Sequence, residues 1–395
     1  MSETCDILIA GGGIMGSSLA FWLSRDPGFT GRIIVVERDP TYARAASSLS
    51  NSSIRQQFGQ PVNIAISRFA AEFIHDFQDF MEDDAAPGIM LQSFGYLYLA
   101  DTQQLAARLE GQVDLQNREG AATRLLSRDE IAARYPFYAL DDILCGSINT
   151  VDEGYFDGAT IFDWFRRKAQ ARGVEYRADE VVALHRNGAR IESITLKGGG
   201  RISPGVFVNA AGTRGAQVAA MAGLTLPVEP RRRFTWVFDS PPAREFGQPV
   251  PLTIDPSGVH VRSDGQWFLA GAAPDDDTPV DPDDFTMDHA LWEERVWPIL
   301  ATRIPAFEVA KVKNNWVGHY DFNVFDQNAV IGADAELANF LWCNGFSGHG
   351  LQQAPAVGRG LAELILHGRY QTLDLSPLGP ARIAEGRPLT EGAII

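Results

Sequence analysis

After Cys5 the chain enters a short continuous apolar run, Ile7-Leu8-Ile9-Ala10, then Gly11-Gly12-Gly13-Ile14-Met15-Gly16, then apolar positions at helical spacing. A run of that length closed by a glycine turn predicts a buried strand feeding a helix. Gly31-Arg32-Ile33-Ile34-Val35-Val36-Glu37 repeats the buried-strand pattern and ends on a carboxylate. A polar loop, Ala46 to Ser53, interrupts the series. From Val62 to Met81, Ile66, Phe69, Ala70, Phe73, Ile74, Phe77 and Phe80 recur at helical spacing, which predicts one long helix with its phenylalanines in the core. The stretch from Ile89 to Leu140 mixes a hairpin-like run, Gly95-Tyr96-Leu97-Tyr98-Leu99, with polar helical segments, and Ser127-Arg128-Asp129-Glu130 has the form of a capping box.

The pattern then returns to alternating elements. A helix is predicted from Phe162 to Arg172, strands over 173–176 and 180–184, and a hairpin arm over 190–197. Gly205-Val206-Phe207-Val208-Asn209-Ala210-Ala211-Gly212 reads as another buried strand entering a small-residue turn, with a helix through Val218 and Met221. Between Leu224 and Phe325 the chain is β-rich and proline-rich, with strands at Phe234–Phe238 and Trp267–Ala270 and a helix near His289 to Leu300. The last block is strand Phe340–Asn344, turn Gly345-Phe346-Ser347-Gly348-His349-Gly350, and a helix from near Pro355 to Leu366.

The first glycines carry chemistry as well as geometry. Gly11 permits the tight bend, Gly13 lets a pyrophosphate approach the backbone, and Gly16 lets helix and strand pack closely, so phosphates face the helix N-terminus beside Ile14 and Met15. Glu37 follows Gly16 by 21 residues, where an acid accepts ribose hydroxyls and repels a ribose phosphate. FAD or NAD therefore fits better than NADP, although Arg38 follows at once and suits a phosphate. Either feature alone serves packing or solvation; together they point to a dinucleotide. Ala210, Ala211 and Gly212 offer a second close backbone approach, Ser47, Ser48 and Val182 are further candidate contacts, and the third glycine block is more than a nicotinamide enzyme needs.

At 395 residues the chain is long enough for two domains. A net charge of −16 with no basic stripe argues against nucleic acid or an anionic membrane as partner. Arg231-Arg232-Arg233 reads as a surface turn flanking a strand, and the acidic residues of 275–277 and 281–284 as a solvated loop. Cys5, Cys145 and Cys343 are far apart and contain no CxxC, against a disulfide framework or structural zinc and in keeping with a reducing cytoplasm. The histidines have no paired ligand spacing, so no metal is assigned. No basic leader precedes the first strand, and no apolar run approaches a membrane span.

The three glycine blocks in this order resemble the FAD-dependent D-amino-acid oxidase, glycine oxidase and sarcosine oxidase superfamily. Ser53-Ile54-Arg55-Gln56-Gln57-Phe58, Val228 to Arg233, Tyr320 to Asn328 and Gly348 to Pro355 are further similar to FAD-dependent oxidoreductase domain-containing proteins that assist assembly of mitochondrial respiratory complex I, a likeness that extends to Ile394-Ile395. The resemblance implies an α/β, α+β overall, architecture: a Rossmann-type FAD-binding domain built from 1–88, 150–222 and 325–395, interleaved with an antiparallel β-sheet substrate domain from 89–149 and 223–324. It implies oxidation of a C–N bond of a small amine or amino acid, secondary, N-alkyl or D, by hydride transfer to flavin.

Residue by residue, Arg55 matches the arginine that clamps a substrate carboxylate and Tyr320 the tyrosine that hydrogen-bonds it. His349 falls in the glycine turn beside the flavin, where the helix N-terminus can stabilise negative charge on the reduced ring and the role of His349 is electrostatic; Gly345, Ser347, Gly348, Gly350, Leu351 and Gln352 are further cofactor contacts that the resemblance implies. His319, Arg262 and His260 are left as lining or surface residues. Gly318 stands where sarcosine oxidases carry a flavin-linking cysteine, and Ala45-Ala46-Ser47 where dimethylglycine-type dehydrogenases carry a histidine, so FAD is expected to be non-covalent. Leu269 or a neighbour takes the place of the lysine that promotes oxygen reduction, which favours a dehydrogenase passing electrons to a quinone or electron-transfer flavoprotein over an oxidase using oxygen. Gln352 replaces a carboxylate-binding lysine. The alternatives are a flavoprotein acting as an assembly factor, with FAD chiefly stabilising the fold, and, more weakly, an NAD-linked dehydrogenase.

Overall fold

The computed structural model describes residues 3–391, so Ile394 and Ile395 lie outside it. The N-terminal apolar run is strand β1 (Glu3–Ala10), fully buried from Ile7 to Ala10. It runs parallel to β2 (Ile33–Glu37) on one side and to the strand Arg201–Asn209 on the other. Strands covered on both faces read as continuous apolar runs, as these do. The sheet extends through Glu175–Ala178 beyond β2 and through Phe340–Asn344 and Val330–Ala333 beyond Arg201–Asn209, while Val181–Asn187 and Arg190–Leu196 fold onto it as an antiparallel arm. One face packs on α1 (Ile14–Arg25), α2 (Pro61–His75) and the helices Gly158–Ala171 and Gly350–His367, with Leu19, Phe21, Phe165, Val357 and Leu361 in the core.

A second eight-stranded sheet runs in the order Lys311–Asn323, Val228–Asp239, Trp267–Ala272, His260–Asp264, Leu252–Ile254, Tyr96–Ala100, Cys145–Asn149 and Arg124–Ser127. Period-2 alternation sorts its side chains. Phe234, Trp236 and Phe238 enter an aromatic core with Phe268, Trp292 and Phe307 on one face, while Arg233 and Thr235 meet the other. The Ser127–Glu130 capping box is present.

Several elements depart from the sequence pattern. The helix expected over 62–81 breaks at Asp76 into α2 and a short helix, Phe77–Met81. Gly95–Leu99 forms no local hairpin: Tyr96–Ala100 pairs antiparallel with Cys145–Asn149 and parallel with Leu252–Ile254, partners that periodicity does not name. A π-helical turn, Trp292–Val296, precedes the helix Trp297–Arg303 where one helix was expected. The C-terminal helix starts at Gly350, with Pro355 inside it. Contacts with α1 accommodate the proline: Ser18 Oγ donates to the Ala354 carbonyl at 2.7 Å, Trp22 Nε1 donates to the Pro355 carbonyl at 3.0 Å, and Gly358 leaves no room for a Cβ against Ser18.

The arginine run is a strand rather than a surface turn. Arg233 forks onto Asp277 at 2.8 and 3.0 Å, Arg232 pairs with Asp284 at 3.4 Å and Arg231 with Glu229 at 2.6 Å. Asp277 and Asp284 of the acidic loop are therefore held against the sheet by these cations, while Asp275, Asp276 and Asp281 stay exposed. Among the described residues no helix is long and apolar enough to cross a membrane, the three cysteines are unpaired, and no cluster of three or more His, Cys, Asp or Glu could hold a metal.

Candidate functional site

A cavity of about 330 Å³ lies between the two sheets, lined from both. Its floor begins at the glycine turn. Gly11 has φ +106°, and a Cβ there would strike the Ala210 carbonyl; a Cβ at Gly16 would be driven into the carbonyl oxygen of Gly11. The turn is bare because the backbones of β1, α1 and the Ala210 turn are in contact. Gly13 lines the cavity, and its nearest neighbour is Ser47 Oγ, 3.3 Å from where a Cβ would stand. Ser47 Oγ accepts from the Ile14 amide at 2.9 Å, occupying one helix N-terminal donor. Glu37 is fixed by backbone: Oε2 accepts from the Gly12 amide and Oε1 from the Asp39 amide, each at 2.8 Å. Burial pushes its carboxyl up and those two amides pull it back. Each oxygen keeps acceptor capacity for a ribose hydroxyl.

The far end of the floor is the turn Gly345–Gly350. Asp321 organises it: Oδ2 accepts from the Gly345 and Phe346 amides at 2.9 and 3.2 Å, and burial raises its pKa to about 6. Ser347 and Gly348 have φ +50° and +92°, and a Cβ at Gly348 would run into the Tyr320 ring. The helix Gly350–His367 then begins with no side-chain cap, presenting its first-turn amides to the cavity.

Arg55 occupies the floor between them. It follows the short strand Ser53–Ile54, which pairs with Gly154–Tyr155, and it is 2% exposed. Nη1 donates to the Tyr98 hydroxyl, Nη2 lies 2.7 Å from His349 Nε2, and the backbone amide donates to Gln352 Oε1 at 2.9 Å. The guanidinium sits over Phe58 and beside Tyr96 and Tyr98, at 4.5, 5.5 and 5.8 Å from the ring centres. Because a guanidinium only donates, His349 accepts and is neutral; burial and Arg55 hold its pKa well below the usual imidazole range. His349 thus meets Arg55 as a neutral acceptor at the N-terminus of Gly350–His367. Buried Glu153 holds the next residues, accepting from the Gln56 and Gln57 amides at 2.6 and 3.1 Å, the Gln57 side chain at 2.8 Å and Asn149 at 3.0 Å.

Most of the sequence candidates converge on the cavity. Gly11, Gly13, Ile14, Met15, Glu37, Arg38, Ser47, Ala210, Ala211, Gly212, Ser347, Gly348, His349, Gly350, Leu351 and Gln352 line it with Arg55 and Tyr320. Four do not. Gly16 and Gly345 pack against backbone and the Val228 side chain. Ser48 is exposed beyond the capping Ser47. Val182 is 41% exposed, because strand alternation turns Val181 inward instead.

Leu269 is buried and outside the cavity, the residue reaching it from that strand being Ala272. Arg262 is buried but held by Asp264 at 2.8 Å and the Asn51 carbonyl at 3.1 Å. His260 lines the roof, its pKa brought down to about 4 by burial and then by Arg262 and Arg233. Arg233 itself stacks over Tyr320 at 4.7 Å. The sequence pattern gives Tyr96 and Tyr98 only as part of a hairpin-like run and Asp321 only within the Tyr320–Asn328 likeness, and it does not single out Glu153.

The chain is similar to FAD-dependent oxidoreductase domain-containing protein 1 of Bos taurus, 37% identical across 100% of this chain and 87% of that protein. It is similar to mitochondrial sarcosine dehydrogenase of Mus musculus at 23% identity, over 93% of this chain and 40% of that protein. The solved L-proline dehydrogenase of P. horikoshii has the same fold, with TM-score 0.85 and 24% identity over 98% of this chain and 100% of that one. The FAD dependent oxidoreductase family matches residues 6–364. The chain belongs to that family, with its D-amino-acid-oxidase-type fold and its FAD cofactor.

Proposed function

We propose that this protein oxidises the C–N bond of a small amine or amino acid bearing a carboxylate, secondary, N-alkyl or D in configuration. One observation carries the reading: a buried arginine, Arg55, faces the cavity beside the Gly345–Gly350 turn, its fork aimed by Tyr98 and His349. A pre-aimed guanidinium is the tool for holding a carboxylate. FAD supplies the hydride acceptor. The chain positions the substrate through Arg55 and Tyr320, with Tyr96 in the lining and Tyr98 holding Arg55, and stabilises negative charge with the N-terminus of Gly350–His367.

The amine enters neutral, because the leaving hydride needs the nitrogen lone pair. The cavity-facing end of Trp267–Ala272 offers Ala272 and no cation, which supports a dehydrogenase delivering electrons to a quinone or electron-transfer flavoprotein. Gly318 in the lining supports non-covalent FAD. Three unpaired cysteines fit a reducing cytoplasm. The division into a discontinuous FAD domain and a substrate domain belongs to the same reading, each sheet drawing its strands from one set of segments.

The test is anaerobic mixing of holoprotein with N-methyl, N-carboxyalkyl and D-amino acids while flavin absorbance is followed, then admission of air. Bleaching by at least one, with slow reoxidation in air, is the expected result. Bleaching by none would leave the assembly-factor reading in its place, and fast reoxidation would make the protein an oxidase.

A further inference from the structure

Segment 280–285 belongs to neither sheet and lies along the cavity, which Pro282 and Asp283 line. The sheet order places β1 between β2 and Arg201–Asn209. The glycine turn at the end of β1 therefore has Glu37 and Arg38 on one flank and Ala210 to Arg214 on the other. Asp283 reaches both flanks. Its Oδ1 accepts from Arg38 Nη2 at 2.8 Å and its Oδ2 from Arg214 Nη2 at 2.5 Å.

The same segment is anchored from the second sheet. The Phe285 ring stacks on His319, centroids 4.2 Å apart and planes at 21°. His319 Nε2 donates to the Asp284 carbonyl at 2.8 Å, and the Val280 amide donates to the Pro230 carbonyl at 3.0 Å. The segment is thus fixed at its roots and closed at its tip by one carboxylate shared between two guanidiniums that flank the dinucleotide turn.

We propose that segment 280–285 is a latch over the ADP half of the cofactor, and that FAD leaves when Asp283 releases Arg38 and Arg214. The inference rests on the FAD cofactor and not on the substrate reading. It also gives Arg38 a role: its charge is spent on Asp283 rather than on a ribose phosphate. The two guanidiniums, Arg214 foremost, hold the Asp283 carboxyl below its usual range, so the bridge is charged at neutral pH. Side-chain exposures of 36% for Arg38, 49% for Asp283 and 20% for Arg214 leave the bridge open to screening by salt.

The experiment is FAD release from holoprotein, read as the rise of free flavin fluorescence after rapid dilution, at low ionic strength and at about 1 M, where the screening length is about 3 Å. Asp283→Asn is expected to release FAD about three- to tenfold faster at low salt, the scale of two partly exposed ion pairs. Wild-type release should accelerate with salt and the variant's should not. Asp276→Asn, an exposed neighbour in the same acidic loop, removes the same charge without touching the bridge and should release FAD like wild type. Matching melting temperatures of the apo forms show that the variants fold. Equal release from Asp283→Asn and wild type would overturn the latch, as would equal acceleration by Asp276→Asn, which would reduce the effect to net charge.

Discussion

Arg55 combines burial with a directed fork, and each partner constrains it differently. Tyr98 and His349 take one donor each from the guanidinium, Gln352 takes the backbone amide, and Phe58 lies under the cation. Lysine keeps the charge but reaches only one partner at a time and cannot stack. Arg55→Lys is therefore expected to retain flavin while weakening a small carboxylate ligand about tenfold to a hundredfold, the worth of a charge-assisted hydrogen bond. Titration of the flavin absorbance measures it, and unchanged affinity would move the carboxylate elsewhere.

Asp321 gives a prediction with a sign. Its folded pKa, about 6, lies above the unfolded carboxylate value, so folding favours the protonated form. That stability is fully present below the unfolded pKa and is lost as pH rises through about 6. Asp321→Asn keeps an acceptor for the Gly345 and Phe346 amides and cannot ionise. The stability of the variant relative to wild type should accordingly rise by about 2 kcal/mol between pH 4 and pH 7. Denaturant melts at both pH values check this; parallel pH profiles would show that Asp321 ionises without cost.

Among the elements, those whose job is local were readable and those that depend on distant pairing were not. The strand, turn and helix from Ile7 to Arg25 are written in period and glycine spacing, as are the Ser127 cap and the strand Phe340–Asn344. Tyr96 and Tyr98 enter the site only because their strand pairs with Cys145–Asn149 and Leu252–Ile254. Arg232 and Arg233 read as surface residues because their partners, Asp284 and Asp277, lie tens of residues away. Val181 and not Val182 lines the cavity, since a shift of one residue in a strand turns a side chain to the opposite face.

The glycines divide the same way. Gly13 faces the cavity with modest crowding, whereas Gly16 meets the Gly11 carbonyl and Gly348 meets the Tyr320 ring at positive φ. Gly16→Ala must part β1 from α1 and is expected to cost about 3 kcal/mol or more, with loss of bound flavin. Gly13→Ala should fold with near-normal stability while binding FAD more weakly. Thermal melts of the two apo variants separate these effects, and an equally destabilised Gly13→Ala would contradict the division.

On the scale of the whole molecule, the cavity is bounded by two sheets whose cores are distinct. Leu19, Phe21 and Val357 pack with one and Trp236, Phe238 and Phe307 with the other. A cofactor lying between them couples their stabilities, since its binding energy is lost when either side opens. At a free FAD concentration one hundredfold above its Kd, linkage stabilises the native state by about 2.7 kcal/mol. An unfolding entropy of about 2.1 cal/mol/K per residue over 395 residues is about 0.8 kcal/mol/K. The melting temperature should therefore rise by about 3 °C, and by about 1.6 °C more for each further tenfold of FAD. Calorimetry across an FAD series measures it. The signal that matters is which part of the transition moves: lining from both sheets requires the whole endotherm to shift together. A second transition that stays fixed as FAD is added would mean that the β-rich sheet covers the site without sharing in its binding energy.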